Sequence, residues 1–190
     1  MYLPNRRVFL RTAAISLAVA AVATPAAAAR PGGAIQTGSN GVSALGSWHV
    51  STHPTFPAAV RALGAASAVH VHTHGNSCTG TGTWSKLGLR ILFTSFSSDP
   101  YCAAVRAQTG TISGAAGRRH WQTTLGLRVG DSLGTLKQLY PRAIKGRGGW
   151  AIVYSRHSVI AEGSRLDIVT AQIKGNRVSA FKLWIGGAGD

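Results

Sequence analysis

Beyond residue 46 the apolar positions of this chain fall into two periods, and the switches between them mark its elements. Thr55 precedes Phe56-Pro57-Ala58-Ala59-Val60-Arg61-Ala62-Leu63-Gly64, where Phe56, Val60 and Leu63 share one helical face. Thr55 stands at the cap, Pro57 in the first turn and Gly64 at the left-handed stop, so the pattern predicts a short amphipathic helix. Trp48-His49-Val50 ahead of it reads as a short strand, and 67–74 and 84–93 behind it as longer ones. In the last of these, Leu87, Leu89, Ile91 and Phe93 alternate with Lys86, Gly88, Arg90 and Leu92.

The same order recurs. Leu127-Arg128-Val129 reads as a strand, Asp131 and Ser132 as a helix cap, and Leu133, Leu136 and Leu139 as one helical face stopped by Pro141. Trp150 to Tyr154 is then a strand, and 166–174 and 177–185 form a hairpin across Gly175-Asn176, a pair with type II′ composition. In the hairpin Ile168, Thr170 and Gln172 lie on one face and Val169, Ala171 and Ile173 on the other, so one face is expected to be buried and the other wetter. The fold expected is α+β: a duplicated unit of short helix plus antiparallel strands, with the helices packed on one face of a curved antiparallel sheet. The first repeat spans 47–118 and the second 119–190. Residues 30–46, rich in Gly and Ser and without a period, read as a flexible lead-in.

Ahead of these lies a different kind of segment. Arg6-Arg7-Val8-Phe9-Leu10-Arg11, an Ala-rich stretch of weak hydrophobicity and a run of small residues ending at Ala29 read as a signal peptide of twin-arginine type over 1–29. The chain is therefore expected to be exported, and its mature part to lack a transmembrane segment. Charge sharpens the picture. The sequence holds 20 Lys and Arg against 5 Asp and Glu, for +15; cleavage after residue 29 removes Arg6, Arg7 and Arg11 and no acid, leaving +12. Outside the cytoplasm such a surface suits an anionic envelope polymer or an acidic protein. Its densest basic clusters, Arg118-Arg119 and 142–147, have no interleaved aromatics, which argues against a specific nucleic-acid binder.

Gly126-Leu127-Arg128-Val129-Gly130-Asp131-Ser132-Leu133, the helix end Leu139-Tyr140-Pro141 and the closing Gly175-Asn176-Arg177-Val178-Ser179-Ala180-Phe181 resemble a secreted bacterial module. That module is similar in plan to the tandem-repeat β-lactamase inhibitor proteins and the small lipoproteins of the outer-membrane barrel-assembly machinery. The resemblance covers about 120–190, and 47–95 by analogy only. It implies a binding scaffold in which a curved sheet offers a concave surface, and it does not carry over a partner.

Three constellations invite chemistry. Cys78 and Cys102, the two cysteines of an expected exported chain, pair most simply as one disulfide, worth about 3.5 kcal/mol by loop closure. His70, His72 and His74 alternate along a strand, so their imidazoles share a face at about 6.5–7 Å intervals; this reads as a solvent-facing row on an edge strand with Val69 and Val71 toward the core, or as a His-x-His pair close enough to hold zinc or copper. Gly130-Asp131-Ser132-Leu133-Gly134 satisfies two esterase signatures, but His157 precedes Asp167, the reverse of the order those families use. Asp131 and Ser132 therefore read as caps, and no catalytic residue is assigned. The expected function is a non-enzymatic binding protein without a cofactor; the alternative is a metal-binding protein built on the histidine row. Trp48, Trp84, Trp121, Trp150 and Trp184 are expected mostly in or beside the core.

Overall fold

Hairpin-length links force neighbouring strands to pair antiparallel, and this accounts for most of the architecture. The computed structural model describes residues 33–74, 77–95, 106–113, 121–155 and 165–186. Strands β1 (Ala34–Thr37), β2 (Val42–Leu45) and β3 (Trp48–His49) precede helix α1 (Phe56–Leu63), which leads into β4 (Ala68–His74), β5 (Ser77–Trp84), β6 (Leu89–Ser95) and β7 (Arg106–Ser113). After β8 (Gln122–Thr123) comes α2 (Leu133–Leu139), followed by β9 (Ile144–Gly146), β10 (Gly149–Ser155), β11 (Leu166–Lys174) and β12 (Arg177–Trp184). Among the described residues the fold is mostly β with two short α-helices.

Eight strands form one antiparallel sheet in the order β4-β5-β6-β7-β12-β11-β10-β9. Two four-stranded meanders, each preceded by a short helix, thus meet through their last strands, with Ile112 opposite Phe181 and Gly110 opposite Leu183. A smaller sheet, β3-β2-β1-β8, contains the parallel pair β1–β8.

One side of the long sheet is closed. Ala58 and Ala59 of α1 and Leu136 of α2 are buried, and Ile35, Val42, Leu45 and Trp48 of the small sheet join the same core as Leu89, Ile91, Phe93, Ile112 and Phe181. Phe56 meets Phe93 edge-on at 5.3 Å and Trp84 at 6.1 Å, and Trp48 lies 6.3 Å from Phe93. Gly82 makes this packing possible: a Cβ there would stand 2.9 Å from the Trp84 ring and 3.1 Å from that of Phe56. Burying each such side chain stabilises the fold by roughly 1.5–3 kcal/mol.

Both helices lie where their period and punctuation place them. Gly64 ends α1 at φ 88°, and the Ser132 hydroxyl accepts from Thr135 N at 3.0 Å to cap α2. Thr55 occupies the N-cap of α1 without a side-chain hydrogen bond.

Elsewhere tertiary pairing overrides local pattern. The stretch read as a flexible lead-in, 30–46, supplies β1 and β2, and its Ile35, Val42 and Leu45 are fully buried. The strand expected over 84–93 is broken by a 3-10 turn at Ser85–Leu87, where Gly88 turns left-handed at φ 60°. Leu127-Arg128-Val129 forms no strand; Leu127 is buried, and pairing is limited to a single bridge between Gln122 and Arg128. Gly175 and Asn176 have φ 56° and 63°, so the hairpin turns by a type I′ geometry, not II′. The expected wet face of β11 is also closed at its middle, with Ile168, Val169, Thr170 and Ala171 all buried. Register shifts on both sides of this strand raise its local twist.

Candidate functional site

Alternation fixes what the other side of the long sheet presents. On β5 the residues Cys78, Gly80, Gly82 and Trp84 take the buried side, which turns Thr79, Thr81 and Thr83 outward. On β6 the buried Leu89, Ile91 and Phe93 likewise turn Arg90 and Leu92 outward, while Thr94 on the same side keeps its hydroxyl buried. Cross-strand partners share a face, so the register strings these residues into rows. One row runs Thr83, Arg90, Thr111, Lys182 and Thr170 across five strands. A second runs His70, Thr81, Leu92, Thr109 and Trp184.

The arrangement has a definite chemistry. Arg90 and Lys182 are exposed and flank Thr111, at about 10 Å across two strand spacings. Thr109, Thr111, Asp167, Thr170, Lys182 and Trp184 line a shallow depression of ≈ 390 Å³. Asp167 is already engaged by Arg165, whose Nε donates to Oδ1 at 2.6 Å, so the face stays cationic. Hydroxyls that donate and accept, two separated cations and an indole ring make a surface for a polar, anionic ligand.

The residues singled out in the sequence scatter. Cys78 is buried on β5, and among the described residues no cysteine is free. Cys102 lies outside the described residues, and the pairing goes forward as a proposal. His70 and His72 are exposed on β4, the outermost strand, opposite Thr81 and Thr79. His74 ends that strand opposite Ser77, and its side chain is outside the described residues. Among the described residues no group of three or more His, Cys, Asp or Glu is placed to hold a metal.

Ser132 is occupied structurally. Its Oγ accepts from Thr135 N and lies 3.0 Å from Thr135 Oγ1, while Asp131 Oδ2 accepts from Arg128 N at 2.8 Å. His157 is outside the described residues, as is Arg118-Arg119. Three indoles are buried with their N–H groups satisfied: Trp48 donates to His53 O, Trp84 to Gly64 O and Trp121 to Leu87 O. Trp150 is half-buried under the Lys137 ammonium, 5.4 Å from its ring centroid, leaving Trp184 as the indole on the open face.

Arg90, Lys182 and the threonines were not marked as a site in the sequence. One signal was present: the strict Thr-Gly alternation Thr79-Gly80-Thr81-Gly82-Thr83, which sets a hydroxyl at every second position. Among the described residues, fold and face together define a sheet protein closed on one side by helices and a small sheet and open on the other over β5, β6 and β7, with Ala151, Thr170 and Ala180 buried farther along that side. Compared with known proteins, the chain matches no family model, no curated protein and no solved structure.

Proposed function

We propose that this chain is an exported, non-enzymatic binding scaffold whose working surface is the open face of the long sheet, and that its ligand is an anionic envelope polymer. The reading rests on one observation: an extended sheet face bearing Thr83, Arg90, Thr111 and Lys182 in a single row, with Trp184 in the neighbouring row. Cations meet the polymer's charged groups, threonine hydroxyls its polar ones, and the indole a sugar ring. Among the described residues no helix is long and apolar enough to cross a membrane.

The scaffold belongs to the same proposal. The mirrored order of the two meanders, each behind a short helix, supports a duplicated unit of the kind found in tandem-repeat inhibitor modules. A Cys78–Cys102 bridge formed after twin-arginine export would tie down β5. The test is retention of the purified chain on isolated envelope polymer carrying phosphate or uronate groups, eluted in salt steps. Elution between low and moderate salt is expected, and earlier elution for Arg90→Ala combined with Lys182→Ala. Salt-independent retention, or an unchanged profile in the double variant, would refute the reading. Binding only to an acidic protein would replace the polymer as ligand.

A further inference from the structure

The two edges of the long sheet are built differently. β9 is three residues long and exposes Lys145, with exposed Arg142 and Arg147 on either side. Short length and charge are the usual defences against pairing with another chain. β4 has neither. It runs seven residues in unbroken register with β5, contains no Pro, Lys, Arg, Asp or Glu, and occupies the end of the sheet. Val69 is 47% exposed and Val71 56%, because their cross-strand neighbours, Gly82 and Gly80, have no side chains to cover them. His70 and His72 project from the opposite face, both exposed.

We propose that β4 pairs antiparallel with β4 of a second copy, and that a borderline divalent ion, Zn²⁺ as the reference case, closes the pair through His70 and His72 of each chain. The antiparallel register that uses the full strand sets Val71 opposite its own copy, Val69 opposite Thr73 of the second copy, and His70 opposite His72 of the second copy. Parity is kept, so the valines meet on one face and the imidazoles on the other. Four imidazoles then stand at the corners of a rectangle about 6.5–7 Å along the strands and about 5 Å across them. An ion above its centre gains four nitrogen ligands, the tetrahedral set that zinc favours. A single chain offers two of the four, so the site is incomplete without the second copy. Thr81 and Thr79 lie across from the two rings, where their hydroxyls can orient the ring nitrogens that do not bind the ion.

Charge and area explain why the ion is needed. One strand pair buries well short of the roughly 1,000 Å² of a stable interface, and two chains of +15 repel. The strand itself is uncharged, so the repulsion is long-range and screened by salt. Pairing should therefore strengthen with salt, whereas retention on an anionic polymer weakens; the two readings fail independently.

The experiment is sedimentation velocity of the purified chain in chelator and with half an equivalent of Zn²⁺, with circular dichroism to confirm folding of each variant. Doubling of mass at one ion per two chains is expected. His72→Ala should need at least tenfold more protein to dimerise. Val71→Lys, which keeps every imidazole but sets a charge on the two-fold axis, should remain monomeric, and His53→Ala should behave as the parent. Zinc bound without a change in mass, no zinc uptake, dimerisation undiminished in His72→Ala or Val71→Lys, or loss in His53→Ala would each overturn the proposal.

Discussion

Neighbouring residues on β5 and β6 stand in opposite surroundings. Gly82 and Phe93 face Phe56, Trp84 and Trp48 under a roof of helix and small sheet, while Thr81 and Leu92, one position away, face solvent on the open side. Backbone pairing is the same for both sets. What differs is the cover, and it divides the labour: the closed face supplies stability and tolerates no change of volume, whereas the open face is free to carry polar and charged groups.

The sharpest test of this division lies on β6. Phe93→Ala removes a ring packed against two aromatics and should cost about 3–5 kcal/mol in urea denaturation. Leu92→Ala, with 38% of its surface already exposed, should cost less than about 1 kcal/mol. Equal losses would mean that the open face is covered. On β5 the effects come from added volume. Gly82→Ala places a methyl 2.9 Å from the Trp84 ring and should destabilise by about 1–3 kcal/mol, while Thr81→Val should stay within about 0.5 kcal/mol. A neutral Gly82→Ala would show that Phe56 and Trp84 do not lie across that strand as described.

Local signals were legible in the sequence and long-range ones were not. α1 and α2 announce themselves through Pro57, Gly64, Ser132 and an apolar period, all of which act within one or two helical turns. β5 does not, because Gly80 and Gly82 leave the strand without an apolar pattern, and only the fold shows that Gly82 makes room for the rings of Phe56 and Trp84. Ile35, Val42 and Leu45 are too sparse among small residues to suggest order, and become strands through pairing and burial in the common core. The row joining Arg90 to Lys182 exists only once β7 and β12 are in register, so no local motif could reveal it. His70 and His72 were legible as a same-face pair on an edge strand, but the exposure of Val69 and Val71 on its other face was not, because it follows from the glycines that pairing sets opposite them.

A smaller effect is expected at the cap of α2, which helps to cover the closed face. Ser132→Ala removes the acceptor for Thr135 N and should lower stability by about 1 kcal/mol in thermal or urea unfolding. Ser132→Asp, which keeps an acceptor at the cap, should recover most of that loss. If the aspartate variant is no more stable than the alanine one, the hydroxyl's value at this position is not capping.

The smallest change in stability should accompany the largest change in binding. Arg90 and Lys182 are exposed and make no ion pair among the described residues, so replacing both by alanine should leave the unfolding free energy within about 0.5 kcal/mol of the parent for each substitution. Their loss nevertheless removes two positive charges from one row of the open face, and elution from the anionic polymer should move to lower salt. A matched control comes from the sheet's far edge, where Lys145→Ala combined with Arg147→Ala removes the same charge from outside that row. If the edge pair shifts elution as far as the face pair does, retention follows net charge alone and the row has no special standing. A larger shift from Arg90 and Lys182, at equal stability and equal net charge, would tie retention to the geometry of the open face.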